Sequence, residues 1–518
     1  MTHPTEAYGA KGWLAARPRM PIQAFAAAAR SAAVRPAAIA AVLALAAALR
    51  IYGLARQSAW ADEITTLFIA DPANPFARFW DLVLSDTHPP LYYLFMRWWF
   101  AAFGQSDLAA RTPSLIFGIL AVGAAALAFR PVRFRARLAL MLLIALSPGT
   151  IEYAQEARSY SFLLFLATVI TGLCFRIVAA PSEGDRVLLH RIAALFAVGI
   201  IAAFTHYFGF LIALAAALTA AASLRYRPRP FLAAVIGVAA LLATVIPWVF
   251  YHAHYMSYGL RMSAWIAGFS AAAMASWFVA LWLGGRWALI GLTVAAAAQL
   301  SRPSFRTFAR RDPTFQIALA LPLLTLGAAL AISWFTPVIT SRNLIVILPA
   351  LYLGMASLFD HGAVRWGMPF AAVALVVQLL LMVQPLPGYY GVRTKEQWRE
   401  SAAFLLAQPG CQTGPIYVYG EALNYRYLVE KARPGLRLVE VQEIGTAPPL
   451  PTGSDCNVLL WAADLPRAQF DRVLSALPIR RCSLRVATFY WAFVALHDGA
   501  GATEKQECGE ARVAGIER

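Results

Sequence analysis

Long apolar segments follow one another along most of this chain, and they limit its fold more than any other feature. A helix that crosses a membrane needs about 20 mostly apolar residues. Eleven segments approach that requirement and predict a polytopic all-α membrane bundle over residues 37–385. These segments are 37–55, 108–129, 138–153, 160–177, 191–207, 208–224, 231–251, 286–300, 314–335, 343–359 and 367–385. The Trp-rich stretch 260–284 is also apolar, but its position predicts an interfacial or re-entrant segment.

The composition supports a membrane protein and excludes other classes. Of the 518 residues, 60% are hydrophobic and 14% are charged. Soluble domains average about 45–50% apolar and about 25% charged residues, so a soluble enzyme is excluded, as is a disordered chain. The net charge of +17 does not indicate a nucleic-acid-binding face, because the basic residues separate apolar segments and form no soluble stripe.

Arginine and lysine are concentrated in alternate loops of the predicted bundle. Loops rich in these residues face the cytoplasm. The N-terminal segment 1–36 is therefore expected in the cytoplasm, and eleven crossings place residues 386–518 outside. The basic residues of these loops are Lys11, Arg17, Arg19, Arg30, Arg35, Arg130, Arg133, Arg135, Arg137, Arg176, Arg186, Arg191, Arg225, Arg227, Arg229, Arg302, Arg306, Arg310, Arg311 and Arg365. The bias toward Arg and Ala is typical of a GC-rich bacterial genome, so we expect a bacterial inner membrane.

Residues 386–518 differ in composition from the bundle. Short β-branched and aromatic runs alternate there with helical stretches and turn clusters, which predicts an extracytoplasmic α/β domain. Four cysteines in this segment predict two disulfides with three alternative pairings, and four reduced thiols are the other interpretation. These cysteines are Cys411, Cys456, Cys482 and Cys508.

Acidic residues of the bundle are concentrated in its first two outer loops. The first of these, residues 56–107, is the longest loop and contains the adjacent pair Asp62 and Glu63 just past the first helix. Adjacent carboxylates at the rim of a membrane repel each other, and partial desolvation is expected to raise the pKa of at least one of them. A carboxylate in that setting is suited to act as a general base.

Other polar residues are predicted at the same end of the bundle. An arginine between tyrosines at a membrane rim can bind a phosphate through two parallel hydrogen bonds. Each residue alone is also compatible with a structural role, such as an arginine that extends toward lipid headgroups. Their convergence on one face predicts a pocket. The residues are His88, Tyr153, Glu156, Arg158, Tyr160, His206, Tyr207 and Arg342.

Nucleotide and zinc motifs are absent from the sequence. There is no phosphate-binding P-loop, no dinucleotide fingerprint followed by a helix, and no CxxC or HExxH spacing. We therefore expect no nucleotide cofactor, and the sequence leaves open whether a divalent metal takes part.

Six motifs, in this order, resemble those of bacterial glycosyltransferase family 39. This family belongs to the GT-C superfamily, which also contains protein O-mannosyltransferases and the aminoarabinose transferase of lipid A. The resemblance covers roughly residues 45–385. The motifs are Ser58-Ala-Trp-Ala-Asp-Glu-Ile-Thr-Thr66, His88-Pro-Pro-Leu-Tyr-Tyr93, Asp107-Leu-Ala-Ala-Arg-Thr-Pro-Ser114, Tyr153-Ala-Gln-Glu-Ala-Arg-Ser-Tyr-Ser161, Thr205-His-Tyr-Phe-Gly209 and Thr340-Ser-Arg-Asn-Leu-Ile-Val-Ile-Leu-Pro349.

The resemblance implies transfer of a sugar from a polyprenyl-phosphate donor to an acceptor hydroxyl outside the cytoplasmic membrane. The acceptor class, whether glycan, lipid or protein, stays open. By its match to the acidic motif, Asp62 is expected to be the base and Glu63 its neighbour. Arg158 and Arg342 are expected to bind the donor phosphate, with Arg111 behind them.

One departure from the family concerns the start of the fourth helix. Many relatives have an aspartate there, whereas this chain has Tyr160. Either Glu156 takes that role or the role is absent.

A transporter or a lipid flippase is the alternative function. Transporters carry charges or broken helices near the middle of the membrane and show internal repeats. Here the acids lie at one end of the bundle and no repeat is apparent, which favours the enzyme. A third candidate function, that of a structural assembly protein, would leave the Asp62–Glu63 region unexplained.

Overall fold

The computed structural model describes residues 22–256 and 311–360. Of the rest, it describes residues 301, 303, 395, 397–407, 427–429, 431–433 and short strands after residue 415. We number helices and strands over these residues. The helices are α1 (Ile22–Ile51), α2 (Ala61–Ile69), α3 (Phe76–Ser85), α4 (Pro90–Phe103), α5 (Asp107–Ala128), α6 (Phe134–Leu146), α7 (Pro148–Glu152), α8 (Tyr160–Ala179), α9 (Asp185–Thr205), α10 (Tyr207–Ser223), α11 (Pro228–Tyr255), α12 (Pro313–Ser333), α13 (Leu348–Asp360) and α14 (Trp398–Leu406).

Six of these helices are long and apolar enough to cross a membrane: α1 over Val34–Ile51, α5, α8, α9, α11 and α12. They fall within a few residues of predicted spans, which confirms a mostly helical, multi-pass membrane protein. The predicted count of eleven spans stays a prediction. Segments 260–284, 286–300 and 367–385 lie outside the described residues.

Helix α8 is central to the bundle and packs against α5, α9 and α10. Its buried side chains are mainly aliphatic, and Cys174 is buried among them. Small residues allow α8 and α5 to pack closely, because a Cβ atom at Gly172 would overlap the side chain of Ala128 on α5.

The predicted span 138–153 is broken in the structure. Helix α6 ends at Leu146, α7 begins at Pro148, and the two axes differ by 62°. Proline has no backbone N–H and disfavours helical geometry at the residue before it, which explains the break. The buried guanidinium of Arg50 donates to the carbonyl oxygens of Ile144 and Ala145 (both 3.0 Å), groups that the broken helix leaves without amide partners.

The long first outer loop contains helices α2, α3 and α4. The guanidinium of Arg97 on α4 binds the carbonyl oxygens of Asp71 (2.5 Å), Pro72 (3.3 Å) and Asn74 (2.7 Å), and so holds the turn between α2 and α3. Helix α4 buries one face and exposes Trp98 on the other.

The segment after the bundle returns to the first outer loop through α14. Trp398 is fully buried in a cluster with Ile64 of α2 and Met96 of α4. The later strands are β1 (Ile416–Tyr419), β2 (Leu438–Val441), β3 (Asn457–Ala462), β4 (Leu484–Phe489), β5 (Ala492–His497) and β6 (Val513–Gly515). Strands β1 and β2 pair in parallel, with Ile416 opposite Leu438. The others form a sheet in the order β3-β5-β4-β6, in which the β4–β6 pair alone is parallel.

The predicted extracytoplasmic α/β domain remains a prediction, although these strands agree with it. The four cysteines at 411, 456, 482 and 508 lie outside the described residues, so the disulfide prediction is untested.

Several arginine-rich loops lie together at the end of the bundle opposite α2. Arg176 donates to the carbonyl oxygens of Leu127 (2.7 Å) and Ala128 (2.9 Å), and Arg227 donates to that of Pro181. These contacts join the loops after α5, α8 and α10. Their common position agrees with the predicted topology, and their assignment to the cytoplasm remains a prediction.

Candidate functional site

The adjacent carboxylates Asp62 and Glu63 point in different directions because they lie in the first turn of α2. Successive residues of an α-helix are about 100° apart around its axis. The Glu63 side chain points into the protein and is 1% exposed, whereas that of Asp62 is 31% exposed. Two separate charged clusters result.

The first cluster, called here the buried cluster, consists of Glu63, Arg111, Glu156 and Lys395. Arg111 binds Glu63 through two parallel hydrogen bonds, Nε to Oε1 and Nη2 to Oε2 (both 2.8 Å). The amide of Ala157 donates to Oε1 (2.8 Å), and the ammonium group of Lys395 lies 3.4 Å from Oε2. Burial raises the pKa of Glu63, but Arg111 and Lys395 outweigh burial and lower this pKa to about 2.

The rest of the Arg111 guanidinium binds the chain between α1 and α2. Nη1 donates to the carbonyl oxygens of Leu54 (2.8 Å) and Gln57 (2.9 Å), and Nη2 donates to that of Ser58 (3.0 Å). Every N–H group of Arg111 therefore has a protein acceptor. Arg111 was expected behind the arginines that bind the donor phosphate, and it lies between α2 and the chain that leads into α2.

Lys395, which the sequence analysis did not single out, reaches this cluster from the segment before α14. Its ammonium group donates to the carbonyl oxygen of Gln155 (3.1 Å) and lies 3.4 Å from Oε1 of Glu156. The other oxygen of Glu156 is buried and has no hydrogen-bond partner among the described residues. Burial raises the pKa of Glu156 to about 7, even though Lys395 acts in the opposite direction.

The second cluster, called here the open cluster, consists of Asp62, His88, Arg158 and Arg342. The carboxylate of Asp62 forms an ion pair with Nη1 of Arg342 and lies 3.9 Å from Nη2 of Arg158. Burial raises the pKa of Asp62, but the two guanidinium groups outweigh it and lower this pKa below its ordinary value. The expectation that repulsion and partial desolvation raise the pKa of at least one of the pair is wrong, because each carboxylate has its own arginine. The carboxyls whose pKa burial raises are those of Glu152 and Glu156.

Arg158 is held by three groups around α2 and the loop before α4. Nη1 donates to the carbonyl oxygen of Asp62 and to the hydroxyl of Thr66, and Nη2 contacts Nε2 of His88 (each 3.2 Å). Its Nε is buried without a hydrogen-bond partner in the part of the chain that the structure describes.

Arg342 reaches Asp62 from the segment between α12 and α13. It precedes a 3₁₀ turn, Asn343–Ile347, and its guanidinium lies 5.2 Å from the ring centre of Trp60. The Asn343 side chain donates to the carbonyl oxygen of Val338 (2.8 Å), which fixes the loop before the turn. The ring contact orients the planar guanidinium at the edge of the open cluster.

Aromatic residues from the start of α8, the 3₁₀ turn before it and the junction of α9 and α10 line one side of the open cluster. The ring of Tyr160 lies 5.1 Å from Tyr153 and 5.8 Å from His206, and the His206 ring lies 5.2 Å from His88. Burial, together with His88 and the nearby arginines, holds the pKa of His206 well below its ordinary value. Tyr207 is turned away, with its hydroxyl 2.5 Å from Nδ1 of His252 on α11.

The described residues contain no group of three or more His, Cys, Asp or Glu side chains placed to hold a metal ion.

The fold and this site define a multi-pass membrane protein with charged clusters at one end of its bundle. No protein-family model matches the sequence, and no curated protein matches it. Solved structures do match. ArnT from Cupriavidus metallidurans in the apo state is 13% identical and aligns over 90% of this chain and 99% of its own, with a TM-score of 0.59.

The same ArnT bound to undecaprenyl phosphate is 14% identical and aligns over 90% of this chain and 98% of its own, with a TM-score of 0.55. The apo form of an Archaeoglobus fulgidus oligosaccharyltransferase aligns over 86% of this chain with 11% identity and a lower TM-score of 0.45. The ArnT comparison shows that this chain has an ArnT-like membrane fold.

Proposed function

We propose that this protein transfers a sugar from a polyprenyl-phosphate donor to an acceptor hydroxyl at the outer face of the bacterial inner membrane. The open cluster is the observation that carries the proposal. It holds an ionised, partly exposed carboxylate between two guanidinium groups at one end of an ArnT-like bundle. This combination provides a base and a phosphate-binding site side by side.

The donor phosphate binds Arg158 and Arg342. A lipid phosphate is both the leaving group and the polar end of the donor, so cations that hold it also stabilise the charge that develops as it leaves. Guanidinium groups present paired N–H groups that match phosphate oxygens. The ArnT structure with undecaprenyl phosphate supports this donor class.

Donor binding changes the environment of Asp62. Without donor, Arg158 and Arg342 favour the ionised carboxylate and make it a weak base. A phosphate that engages the two arginines neutralises part of their charge, and the pKa of Asp62 then rises. Asp62 therefore becomes a stronger base when the donor is in place.

The transfer is a single displacement. The acceptor oxygen attacks the anomeric carbon and its proton passes to the carboxylate of Asp62. The bond from the anomeric carbon to the phosphate oxygen breaks, and polyprenyl phosphate leaves with the bonding electrons. General-base catalysis contributes about 10²–10⁴-fold to such a step, and one displacement inverts the anomeric configuration.

Glu63 supports the site and does not exchange protons with substrate in this proposal. Its oxygens are occupied by Arg111, Lys395 and the amide of Ala157. Because Ala157 precedes Arg158, the buried cluster also fixes the backbone that carries a phosphate-binding arginine.

The proposal is tested by incubating the purified protein with a panel of polyprenyl-phosphate sugars and following release of polyprenyl phosphate. We expect release from at least one donor by the native protein and about 10²-fold slower release by the Asp62→Asn variant. The matched control is Asp81→Asn, an exposed aspartate on α3, which should leave the rate unchanged. Movement of intact donor across vesicles without cleavage would instead support the flippase alternative.

A further inference from the structure

Asp86, which neither the motifs nor the proposed mechanism uses, lies next to the open cluster. It follows α3, and its Oδ2 accepts hydrogen bonds from the backbone amide of His88 (3.1 Å) and from the hydroxyl of Tyr93 (2.7 Å). The same oxygen lies 2.9 Å from Nδ1 of His88. Burial raises the pKa of Asp86, but His88, Arg158 and Tyr93 outweigh it and hold this pKa below its ordinary value.

The opposite nitrogen of His88 faces an arginine. Nε2 lies 3.2 Å from Nη2 of Arg158, and a guanidinium only donates hydrogen bonds, so Nε2 must be the acceptor. The proton of a neutral imidazole then lies on Nδ1, where the ionised carboxylate of Asp86 accepts it. The hydroxyl of Thr87, 3.3 Å from Nδ1, is compatible with this arrangement.

We propose that Asp86 is a positioning residue that fixes the tautomer of His88 and thereby makes His88 the acceptor that orients Arg158. His88 supports Arg158 from behind and does not contact the substrate. The consequence for catalysis rests on the proposed function, since Arg158 is the group that binds the donor phosphate there. The chain of contacts from Asp86 to Arg158 stands independently of that function.

Four variants separate this role from a purely structural one. Asp86→Ala removes the acceptor, whereas Asp86→Asn keeps an oxygen that can accept from Nδ1. His88→Gln places an amide oxygen where Nε2 was, so it still accepts from Arg158 and has no tautomer to fix. Tyr93→Phe removes the hydroxyl that donates to Asp86 and also interacts with Arg158, and Asp81→Asn is the exposed control on α3, the helix before Asp86.

The first measurement is the KM and kcat for the donor. We expect Asp86→Ala to raise KM about tenfold, with a smaller change in kcat, and Asp86→Asn, His88→Gln and Tyr93→Phe to stay within about threefold of the native protein. The double variant Asp86→Ala/His88→Gln should match His88→Gln alone, because Asp86 then has no imidazole to orient. An equal cost of Asp86→Ala in the native and the His88→Gln backgrounds would overturn the proposal.

The second measurement needs no enzyme activity and no substrate. The rate at which phenylglyoxal modifies Arg158 is followed by peptide mass mapping, with Arg342 as internal reference. Asp86→Ala should raise the Arg158 rate about fivefold over the native protein, whereas the double variant should match His88→Gln. An unchanged Arg158 rate in Asp86→Ala refutes the positioning role. If Asp86→Ala raises the modification rate of Arg158 as expected but the native protein turns over no donor, only the proposed function is refuted.

Discussion

The buried cluster and the open cluster begin at neighbouring residues of one helix, yet they are built for different purposes. In the buried cluster, Glu63 is 1% exposed and both of its oxygens are occupied by protein donors. In the open cluster, Asp62 is 31% exposed and shares its charge with two guanidinium groups. A buried, fully bonded carboxylate stabilises structure, whereas an accessible one remains available for exchange of partners.

An acidic pair in a sequence therefore does not by itself show which of its two carboxylates can act as a base. Asp62 and Glu63 carry the same charge and lie in the same helical turn. Their roles depend on which elements approach each side of α2: Arg111 from α5 on one side, Arg342 from the segment after α12 on the other. The predictions below either break this contrast or measure its size.

The largest expected effect is loss of the fold when the buried cluster is broken. Glu63→Gln leaves Arg111 buried without its counter-charge, and removing one partner of a buried pair costs about 3–5 kcal/mol. We expect severe loss of thermal stability in detergent. Asp62→Asn should shift Tm only slightly, because a partly exposed pair contributes about 0–1 kcal/mol.

A double variant controls this comparison. Replacing both Glu63 and Arg111 with Met removes the two charges together, but it also removes the hydrogen bonds from Arg111 to the chain before α2. Only the part of the lost stability that comes from the unpaired charge should therefore return relative to Glu63→Gln. Equal Tm values for Glu63→Gln and Asp62→Asn would mean that the two clusters do not differ in structural importance.

The bundle was predictable from the sequence because apolar length and loop arginines report directly on membrane helices. Six predicted spans agree with the structure within a few residues. The break at Pro148 was missed, although Ser-Pro-Gly at 147–149 carries its signal. Hydrophobicity alone does not distinguish a straight span from a bent one.

The members of the open cluster were predictable as candidates, because polar residues at the ends of apolar segments must meet at one end of a bundle. Their partners were not. Lys395 lies 332 residues from Glu63, the carboxylate that it contacts, and no local pattern predicts that distance. The pKa directions also required the structure, since they depend on which arginine approaches which carboxylate.

The next effect in size is weaker donor binding when either arginine of the open cluster is removed. A hydrogen bond to a charged group contributes about 1.5–3 kcal/mol, so Arg158→Ala and Arg342→Ala should each raise the donor Kd by about 10–100-fold. Binding of polyprenyl phosphate to the purified variants measures this. The matched control is Arg78→Ala, an exposed arginine of α3. Unchanged affinity in both open-cluster variants would remove them from the donor site.

A smaller effect is expected when Arg342 becomes lysine. Lysine keeps the charge that pairs with Asp62 but loses the planar, paired N–H groups and the stacking on Trp60. Donor Kd should rise by about fivefold, roughly 1 kcal/mol, in the same binding assay. A loss as large as that of Arg342→Ala would show that geometry, not charge, decides binding.

The smallest effect concerns the carboxyl of Glu156. Its pKa is raised from 4.5 to about 7, so the folded protein favours the neutral form. The stability that neutral Glu156 contributes is fully present below pH 4.5, its pKa in the unfolded chain, and is lost as the pH rises through about 7. Glu156→Gln cannot ionise, so between about pH 6 and about pH 8.5 it should lose about 1 °C less in Tm than the native protein, which corresponds to about 1 kcal/mol for a chain of this length. An alkaline decrease in Tm that persists in Glu156→Gln would contradict this account.

The central claim is that Asp62, not Glu63, accepts the proton of the acceptor. The most direct measurement is single-turnover transfer by Asp62→Asn with saturating donor, alongside its donor Kd and Tm. We expect donor binding and Tm close to those of the native protein and transfer slower by about 10²-fold or more, near 3 kcal/mol of barrier. Near-native transfer by Asp62→Asn, with transfer abolished in a folded Glu63→Gln or Glu156→Gln protein, would contradict the account.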